Sequence, residues 1–364
     1  MGNPLRVLLV GLGHMGMTHG KAYEELDGYE LVGLCARGIA ARDDLPESWA
    51  RLPRFADYYE ALATLKPDVV SINTFTDTHA PYAVAALESG AHVFCEKPLA
   101  ETVEDAAHVV ATARRLSRKL VVGYAIRVSP AWQKFIDIAR GLGKPLVMRM
   151  NLNQQSIGDA WTWHKNLLKS CSPIVDCGVH YVDAMCQMTN SRPVRVHAMG
   201  AHLTDEIAAD MYNYGQLQVF FEDGSIGWYE AAWGPMISET AFFVKDVIGP
   251  KGSVSFVTPN YNGNPVAGDT TTISSSIETH GRTEAIRWHH AALRPDQSLV
   301  EGDELISTAD GPTHHEICKR EQMLLLNAIR NGDDLSESME AAVNATRIVL
   351  AADVSIREKR IVEL

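Results

Sequence analysis

Residues 5–16 read Leu5-Arg6-Val7-Leu8-Leu9-Val10-Gly11-Leu12-Gly13-His14-Met15-Gly16, a short apolar run that leads into three glycines spaced G-x-G-x-x-G. Leu5 to Val10 has the apolar, β-branched texture of a buried parallel strand. Glycines at 11, 13 and 16 allow a tight turn, let a pyrophosphate approach backbone amides, and bring the phosphates to the positive end of the following helix. Alone the hexapeptide is a weak signal; between a strand and a helix it reads as a dinucleotide-binding turn. Gly11, Gly13, His14, Met15 and Gly16 are its candidate cofactor contacts. Arg6 with the run Val7 to Leu12 has a superficial likeness to a secretory leader, but it runs directly into the glycine turn and carries no small-residue cleavage site.

The sequence downstream repeats this alternation. Leu31 to Cys35, Val69 to Asn73, His92 to Cys95 and Leu120 to Tyr124 read as strands separated by helical segments, the pattern of a parallel sheet flanked by helices. Pro81 suits a first helical position and Gly90 an exit, so the spacing predicts a helix over 81–89, and Thr102-x-x-Asp105 is a capping-box-like start for the next. Right-handed crossovers make the carboxyl edge of such a sheet its ligand crevice. After Tyr124 the texture changes. Ser129-Pro130 reads as a helix start, Gly141 as its end, and Leu146 to Asn153 as a strand. Further strands are expected at 194–201, 215–221, 226–233, 241–248 and 253–257, with Asp223-Gly224 a hairpin-type turn. Residues 258–313, rich in Thr, Ser, Gly and Asp, read as irregular loops and short strands, and helical patterns follow at 315–330 and 337–352. The expected fold is an α/β Rossmann domain over 1–124, then an α+β domain over 125–364 with a large open, mainly antiparallel sheet. Helices are expected on one face of that sheet, and an apolar surface suited to oligomerisation on the other.

Length and composition narrow the function. The 364 residues hold 33 Lys and Arg against 45 Asp and Glu, a formal net charge of -12 that would repel a nucleic-acid backbone and an anionic membrane surface. No segment approaches the ~20 apolar residues of a membrane span. The cysteines at 35, 95, 171, 177, 186 and 318 form no C-x-x-C pair and no disulfide framework, so they read as reduced thiols of a cytoplasmic protein. The partner expected is a small molecule, with neither nucleic acid nor membrane.

Three places carry chemistry. A carboxylate about twenty residues past the glycines normally holds the ribose hydroxyls of NAD. This chain has Cys35-Ala36-Arg37 there, with Arg42 nearby, so a cation stands where a 2'-phosphate would otherwise meet an acid. That favours NADP, with NAD the alternative if Arg37 stacks on adenine instead. Glu96-Lys97-Pro98 follows a buried strand at the sheet's carboxyl edge, where a surface ion pair and a catalytic lysine are both open readings. Asp176-Cys177-Gly178-Val179-His180-Tyr181-Val182-Asp183 sets Asp176, His180 and Asp183 at i, i+4 and i+7, one helix face with a base and two acids. Its alternatives are a cap at Asp176 with a satisfied histidine, or a metal site. No further cluster completes ligand spacing, so no metal is expected. Trp161, Trp163, His164 and Lys165 either line a pocket or divide between core and solvent. His289-His290 and His314-His315 read as solvated loop and helix-start residues.

The GLGHMG turn, the run Thr74-Phe75-Thr76-Asp77-Thr78-His79, the EKP tripeptide and D-x-G-x-H-x-x-D occur in the order seen in the Gfo/Idh/MocA oxidoreductases. The chain resembles that family, which includes glucose-fructose oxidoreductase and inositol dehydrogenase, over nearly its whole length. The resemblance implies that Lys97, Asp176 and His180 are catalytic. It places Thr74, Phe75, Thr76 and His79, with Glu96 and Lys97, on the nicotinamide side of the cofactor, and Ala36 and Arg37 at its adenosine end. Trp161, Trp163 and His164 would join Asp176 and His180 at the substrate. Phe75 replaces the usual proline, and Lys169-Ser170-Cys171-Ser172-Pro173 stands where the family often carries glycines, a departure that falls on the substrate pocket. The activity implied is NAD(P)-dependent interconversion of a secondary alcohol and a ketone on a sugar, cyclitol or related polyol, by a homodimer or homotetramer. A glycosidase that uses NAD transiently and a sugar-sensing regulator are the alternatives on the same fold; retention of Lys97 and His180 argues against the regulator.

Overall fold

A computed structural model describes residues 3–237, 244–257 and 283–364. The chain divides into two compact units, Met1–Val128 with His314–Thr346, and Ser129–Thr313 with Arg347–Leu364.

The first unit is built on strands β1 (Leu5–Val10), β2 (Tyr29–Cys35), β3 (Arg54–Phe55), β4 (Val69–Ile72), β5 (His92–Cys95) and β6 (Leu120–Val122). They form one sheet in the order β3-β2-β1-β4-β5-β6. Every pairing in it is parallel. Helices α1 (His14–Glu24), α2 (Tyr58–Leu65), α3 (Thr76–Glu88) and α4 (Val103–Arg115) connect the strands, and α5 (Ala125–Val128) follows the last. Val7 to Val10, Val69, Val70 and Ile72 are almost fully buried, because helices cover both faces of a parallel sheet and leave no position for alternating polar residues. The strand order reverses between β1 and β4, so the crevice at their carboxyl ends is where this architecture binds ligands.

Local capping explains where these helices begin. Thr102 accepts from Asp105 N–H at 3.0 Å, the cap expected from sequence. The helix expected over 81–89 instead starts at Thr76, and Pro81 lies inside it. Pro81 is exposed and so is Asp77, whose carbonyl it leaves unserved, so water can take the missing bond.

The second unit carries β7 (Val147–Gln155), β8 (Pro193–Ala201), β9 (Tyr214–Phe221), β10 (Ile226–Gly234), β11 (Lys245–Gly249), β12 (Gly252–Val257), β13 (Ala285–His290), β14 (Glu304–Ser307) and β15 (Val362–Glu363). They form a nine-stranded sheet, β14-β13-β12-β11-β7-β10-β9-β8-β15, antiparallel except where β7 meets β10. Gly224, at φ +85°, makes the turn between β9 and β10 with Asp223 Oδ1 accepting from Ser225 N–H. Helices α6 (Pro130–Gly141), α7 (Asp159–Leu167) and α8 (Pro173–Thr189) belong to this unit. Gly178 of α8 lies so close to Tyr229 that a Cβ there would be 3.2 Å from its ring, which puts α8 on the inner face of the sheet. Two helices close the fold, α9 (His314–Asn331) and α10 (Ser336–Glu358).

The opposite sheet face is mixed rather than apolar. Arg149 grips Asp246 with two bonds, at 2.9 and 2.6 Å, Asn153 and Tyr214 bond Glu230, and Arg195 lies over the Phe220 ring. These polar residues alternate with Met148, Leu217, Val219 and Tyr229, which point inward, so the pleat itself divides the strands into a core row and a polar row. The strand expected at 241–248 is described from Lys245 onward. Of the 258–313 excursion, residues 258–282 lie outside the described residues, and β13 and β14 are strands within its remainder. No helix among the described residues is long and apolar enough to cross a membrane, and all six cysteines are free thiols.

Candidate active site

In the first unit, the glycine turn is shaped by what each position excludes. A Cβ on Gly16 would lie 1.9 Å from the Gly11 carbonyl oxygen, and one on Gly11, itself at φ +81°, would lie 2.4 Å from that of Asn73. Gly13 is different: a Cβ there meets nothing within 4 Å. Gly13 also caps α1 without any side-chain hydrogen bond. The helix therefore starts with its first amides uncovered by a cap and with open space before them, which fits the pyrophosphate of a dinucleotide. His14 is exposed and Met15 half-buried at this edge.

At the end of β2, Ala36 is half-buried and Arg37 exposed. Arg42, near Arg37 in sequence, is engaged: it pairs with Asp44 at 2.5 and 2.8 Å and donates to the Leu12 carbonyl at 2.8 Å. Arg42 thus braces the glycine turn, and the side chain left open to a 2'-phosphate is Arg37.

The β4–α3 segment and the EKP tripeptide are tied together. His79 is buried, with Nδ1 2.6 Å from the Pro98 carbonyl and Nε2 3.0 Å from that of Thr74, and burial pushes its pKa down. Thr78 donates to Thr74 Oγ1 at 2.7 Å, while Phe75 is exposed and Thr76 half-buried. Lys97 is half-buried and its peptide bond to Pro98 is cis. Glu96 is buried. Burial alone would raise its pKa, but the hydrogen bond to His19 Nε2 at 2.9 Å, the charge of Lys97, and the Lys97 N–H at 3.1 Å prevail, holding it at about 2. A fixed anion therefore sits immediately before Lys97.

In the second unit, α8 begins at Pro173, three residues before Asp176, so Asp176 is a helical side chain and not the cap. The cap is Ser172, whose Oγ accepts from Val175 N–H at 3.1 Å and donates to Asp353 at 2.9 Å. The Tyr212 hydroxyl contacts both Ser172 and Asp353. Asp176 and His180, one turn apart on the same helix, are both half-buried and reachable. Asp183 is not part of that accessible pair: it is 1% exposed and accepts from Gln187 Nε2 at 2.9 Å.

Side chains from β7, β10 and α7 connect to Asp176 through its neighbour Cys177. Cys177 Sγ lies 3.3 Å from Asp176 Oδ2 and 3.6 Å from Gln154 Oε1, which also accepts from Trp233 Nε1 at 2.6 Å. His164 stacks on Trp233 with centroids 4.5 Å apart and planes at 13°. Trp161 is buried and donates to Glu206 at 3.2 Å, an acid that also pairs with Lys165. Trp163 is half-exposed. Of the aromatic run expected at the substrate, His164 stacks on Trp233, Trp161 packs, and Trp163 faces solvent. Gln154 and Trp233 escaped the sequence reading. They are register partners across β7 and β10, a juxtaposition that only the parallel pairing of those strands creates.

Residues 5–124 match a family model described as the oxidoreductase family with an NAD-binding Rossmann fold, and residues 138–255 match that of the GFO/IDH/MocA C-terminal domain. The class is thus an oxidoreductase with a dinucleotide-binding domain. The chain belongs to the GFO/IDH/MocA family. It is similar to the D-glucoside 3-dehydrogenase of Escherichia coli (strain K12), 27% identical over 72% of this chain and 80% of that one. It is also similar to the inositol 2-dehydrogenase 3 of Saccharopolyspora erythraea, 26% identical over 72% and 76%. Among solved structures, the fold is shared with the scyllo-inositol dehydrogenase of Lactobacillus casei, solved with NAD(H) and scyllo-inositol (TM-score 0.73, 18% identity, 99% of both chains).

Proposed function

We propose that the protein moves a hydride between a nicotinamide dinucleotide and a secondary alcohol of a sugar, cyclitol or related polyol, interconverting that alcohol with its ketone. The observation that carries this reading is the presence, in one chain, of a phosphate cradle bare of capping side chains and an accessible Asp176-His180 pair. The names of its dehydrogenase relatives support the substrate class. In this reading residues 1–124 hold the cofactor, and residues 125–364 hold the substrate and form the subunit contacts of a homodimer or homotetramer in the cytoplasm. The cofactor, when bound, supplies the hydride acceptor and donor. His180 takes the hydroxyl proton on an imidazole nitrogen, a role worth roughly 10²–10⁴-fold. Asp176, one turn earlier, orients substrate and imidazole. The Lys97 ammonium offsets negative charge gathering on the substrate oxygen. His164 contributes the α7 side of the substrate wall, backed by Trp233 and Gln154.

NADP is the cofactor favoured, because Ala36 offers ribose hydroxyls no acceptor and exposed Arg37 can make charge-assisted bonds to a 2'-phosphate. The test is the absorbance of reduced nicotinamide on mixing the protein with NADP⁺ or NAD⁺ and a panel of hexoses, glucosides and inositols, beside a panel of chromogenic glycosides. Cofactor reduction by at least one polyol is expected, faster with NADP⁺. Glycoside cleavage without net reduction would assign a hydrolase instead, and cofactor binding with neither reaction a sensor.

A further inference from the structure

Helix α9 carries His314, Cys318 and Glu321 at i, i+4 and i+7, so a single stripe presents an imidazole, a thiol and a carboxyl. That helix packs on α1, the source of His19. His19, Cys318 and Glu321 are all buried, and one ligand atom from each lies within 4.8 Å of the others. His314 Nε2 is 3.7 Å from Cys318 Sγ. All four residues belong to the first unit.

Two features show that this is not a closed hydrogen-bond network. Glu321 is 3% exposed, and its Oε1 is buried without a hydrogen-bond partner; Gln322 Oε1 is in the same state. Leaving such a group unsatisfied costs about 1–3 kcal/mol. His19, moreover, is held as metal-binding imidazoles are held. Glu96 sits on Nε2 at 2.9 Å, which fixes the ring, and the Nδ1 lone pair, facing the cluster, accepts from the Gln322 amide at 3.0 Å. Glu321 also lines a small cleft with Tyr124, Arg127, Leu324 and Ser338, which provides an entry path.

We propose that His19, Cys318 and Glu321 form a site for a divalent metal ion of the zinc class that clamps α1 to α9. The chemistry of the donors selects the ion. Imidazole and thiolate favour zinc over magnesium or calcium, and with three protein donors a water would complete the tetrahedron. Thiolate and carboxylate together cancel the charge of the dication. Bound donors would stand roughly 3–4 Å apart, so the cluster closes slightly on the metal while Gln322 turns off His19. Sequence reading passed over this site because it sought ligands around Asp176, whereas His19 comes from a helix about three hundred residues away in the chain from Cys318 and Glu321. The proposal does not depend on the catalytic reading of Lys97 and His180.

The test uses the full chain, purified without a polyhistidine tag or chelator. Metal content is measured by mass spectrometry, and Co²⁺ is titrated into metal-depleted protein. A single equivalent of metal is expected, with tetrahedral cobalt bands and a thiolate-to-cobalt charge-transfer band. Cys318→Ser should lose the charge-transfer band. Glu321→Gln, which keeps the thiol and the side-chain shape, should weaken Co²⁺ binding roughly tenfold or more, and it carries the test if Cys318→Ser does not fold. Absence of retained metal together with absence of the thiolate band would overturn the proposal. So would Co²⁺ affinity and spectra that are the same in the parent and Glu321→Gln.

Discussion

Helices α1 and α8 begin in opposite ways. α1 follows Gly13, which offers its amides no side-chain acceptor and leaves open space before them. α8 follows Ser172, whose hydroxyl bonds Val175 N–H and is itself held by Asp353 and Tyr212. The contrast follows from which part of each helix does the work. Where backbone amides are the binding group, a protein side chain on them would compete with the ligand. Where side chains one and two turns in are the working groups, as with Asp176 and His180, the helix start is satisfied internally and becomes a rigid mount.

The largest effect should come from filling the α1 turn. Gly16→Ala places a methyl 1.9 Å from a carbonyl oxygen that has no room to retreat, and soluble protein or cofactor binding should be lost. Gly13→Ala, with nothing within 4 Å of its Cβ, should keep the parental Tm yet bind NADPH roughly tenfold or more weakly, because its methyl occupies the anion's space. Thermal unfolding and fluorescence titration separate the two, and parental NADPH affinity in Gly13→Ala would break the comparison.

Next in size is Lys245, buried on the inner side of β11 with its ammonium 5.1 Å over the ring of Tyr181, the residue after His180. Burial pulls its pKa down from 10.5 to about 7. Between those values the unfolded chain binds more protons than the folded one, so this residue makes stability rise with pH from about 7 toward 10.5 and imposes its full cost below 7. Lys245→Met should therefore raise Tm at pH 7, with the advantage shrinking as pH approaches 10. A lower Tm at pH 7 would mean that the bond from Lys245 to the Asn151 carbonyl outweighs the burial cost.

Ser172→Ala removes the α8 cap and should cost about 1–2 kcal/mol. Turnover should fall with it while NADPH affinity holds, since the mount and the cradle belong to different helices. Unchanged turnover at reduced Tm would show that the cap does not position Asp176 and His180. Smallest is Arg37→Ala, expected to weaken NADPH by a few-fold to tenfold and leave NADH as it was, measured by titration of both.

The sheets and the α1 turn were legible because a parallel sheet needs continuous apolar runs and its turn needs glycines. Thr102 announced its helix through a cap and Pro130 through its place in the first turn, signals that operate within a few residues. Pro81 misled because its cost depends on exposure, which spacing does not reveal. The role of Arg42 as a brace could not be read, because its engagement depends on Asp44 folding back and on the Leu12 carbonyl thirty residues earlier. Gln154, Trp233 and the His19 cluster were illegible for one reason: strand register and helix packing join residues whose separation in sequence carries no period.

The most direct test of the central claim, that Lys97 and His180 work on the substrate while the α1 cradle holds the cofactor, is a paired measurement on the parent, Lys97→Ala and His180→Ala. Reduced-nicotinamide absorbance with the preferred polyol gives turnover, and fluorescence titration gives NADPH affinity. Each variant is expected to lose turnover by roughly a hundredfold or more with NADPH affinity within a few-fold of the parent. Near-parental turnover in either variant would contradict the account.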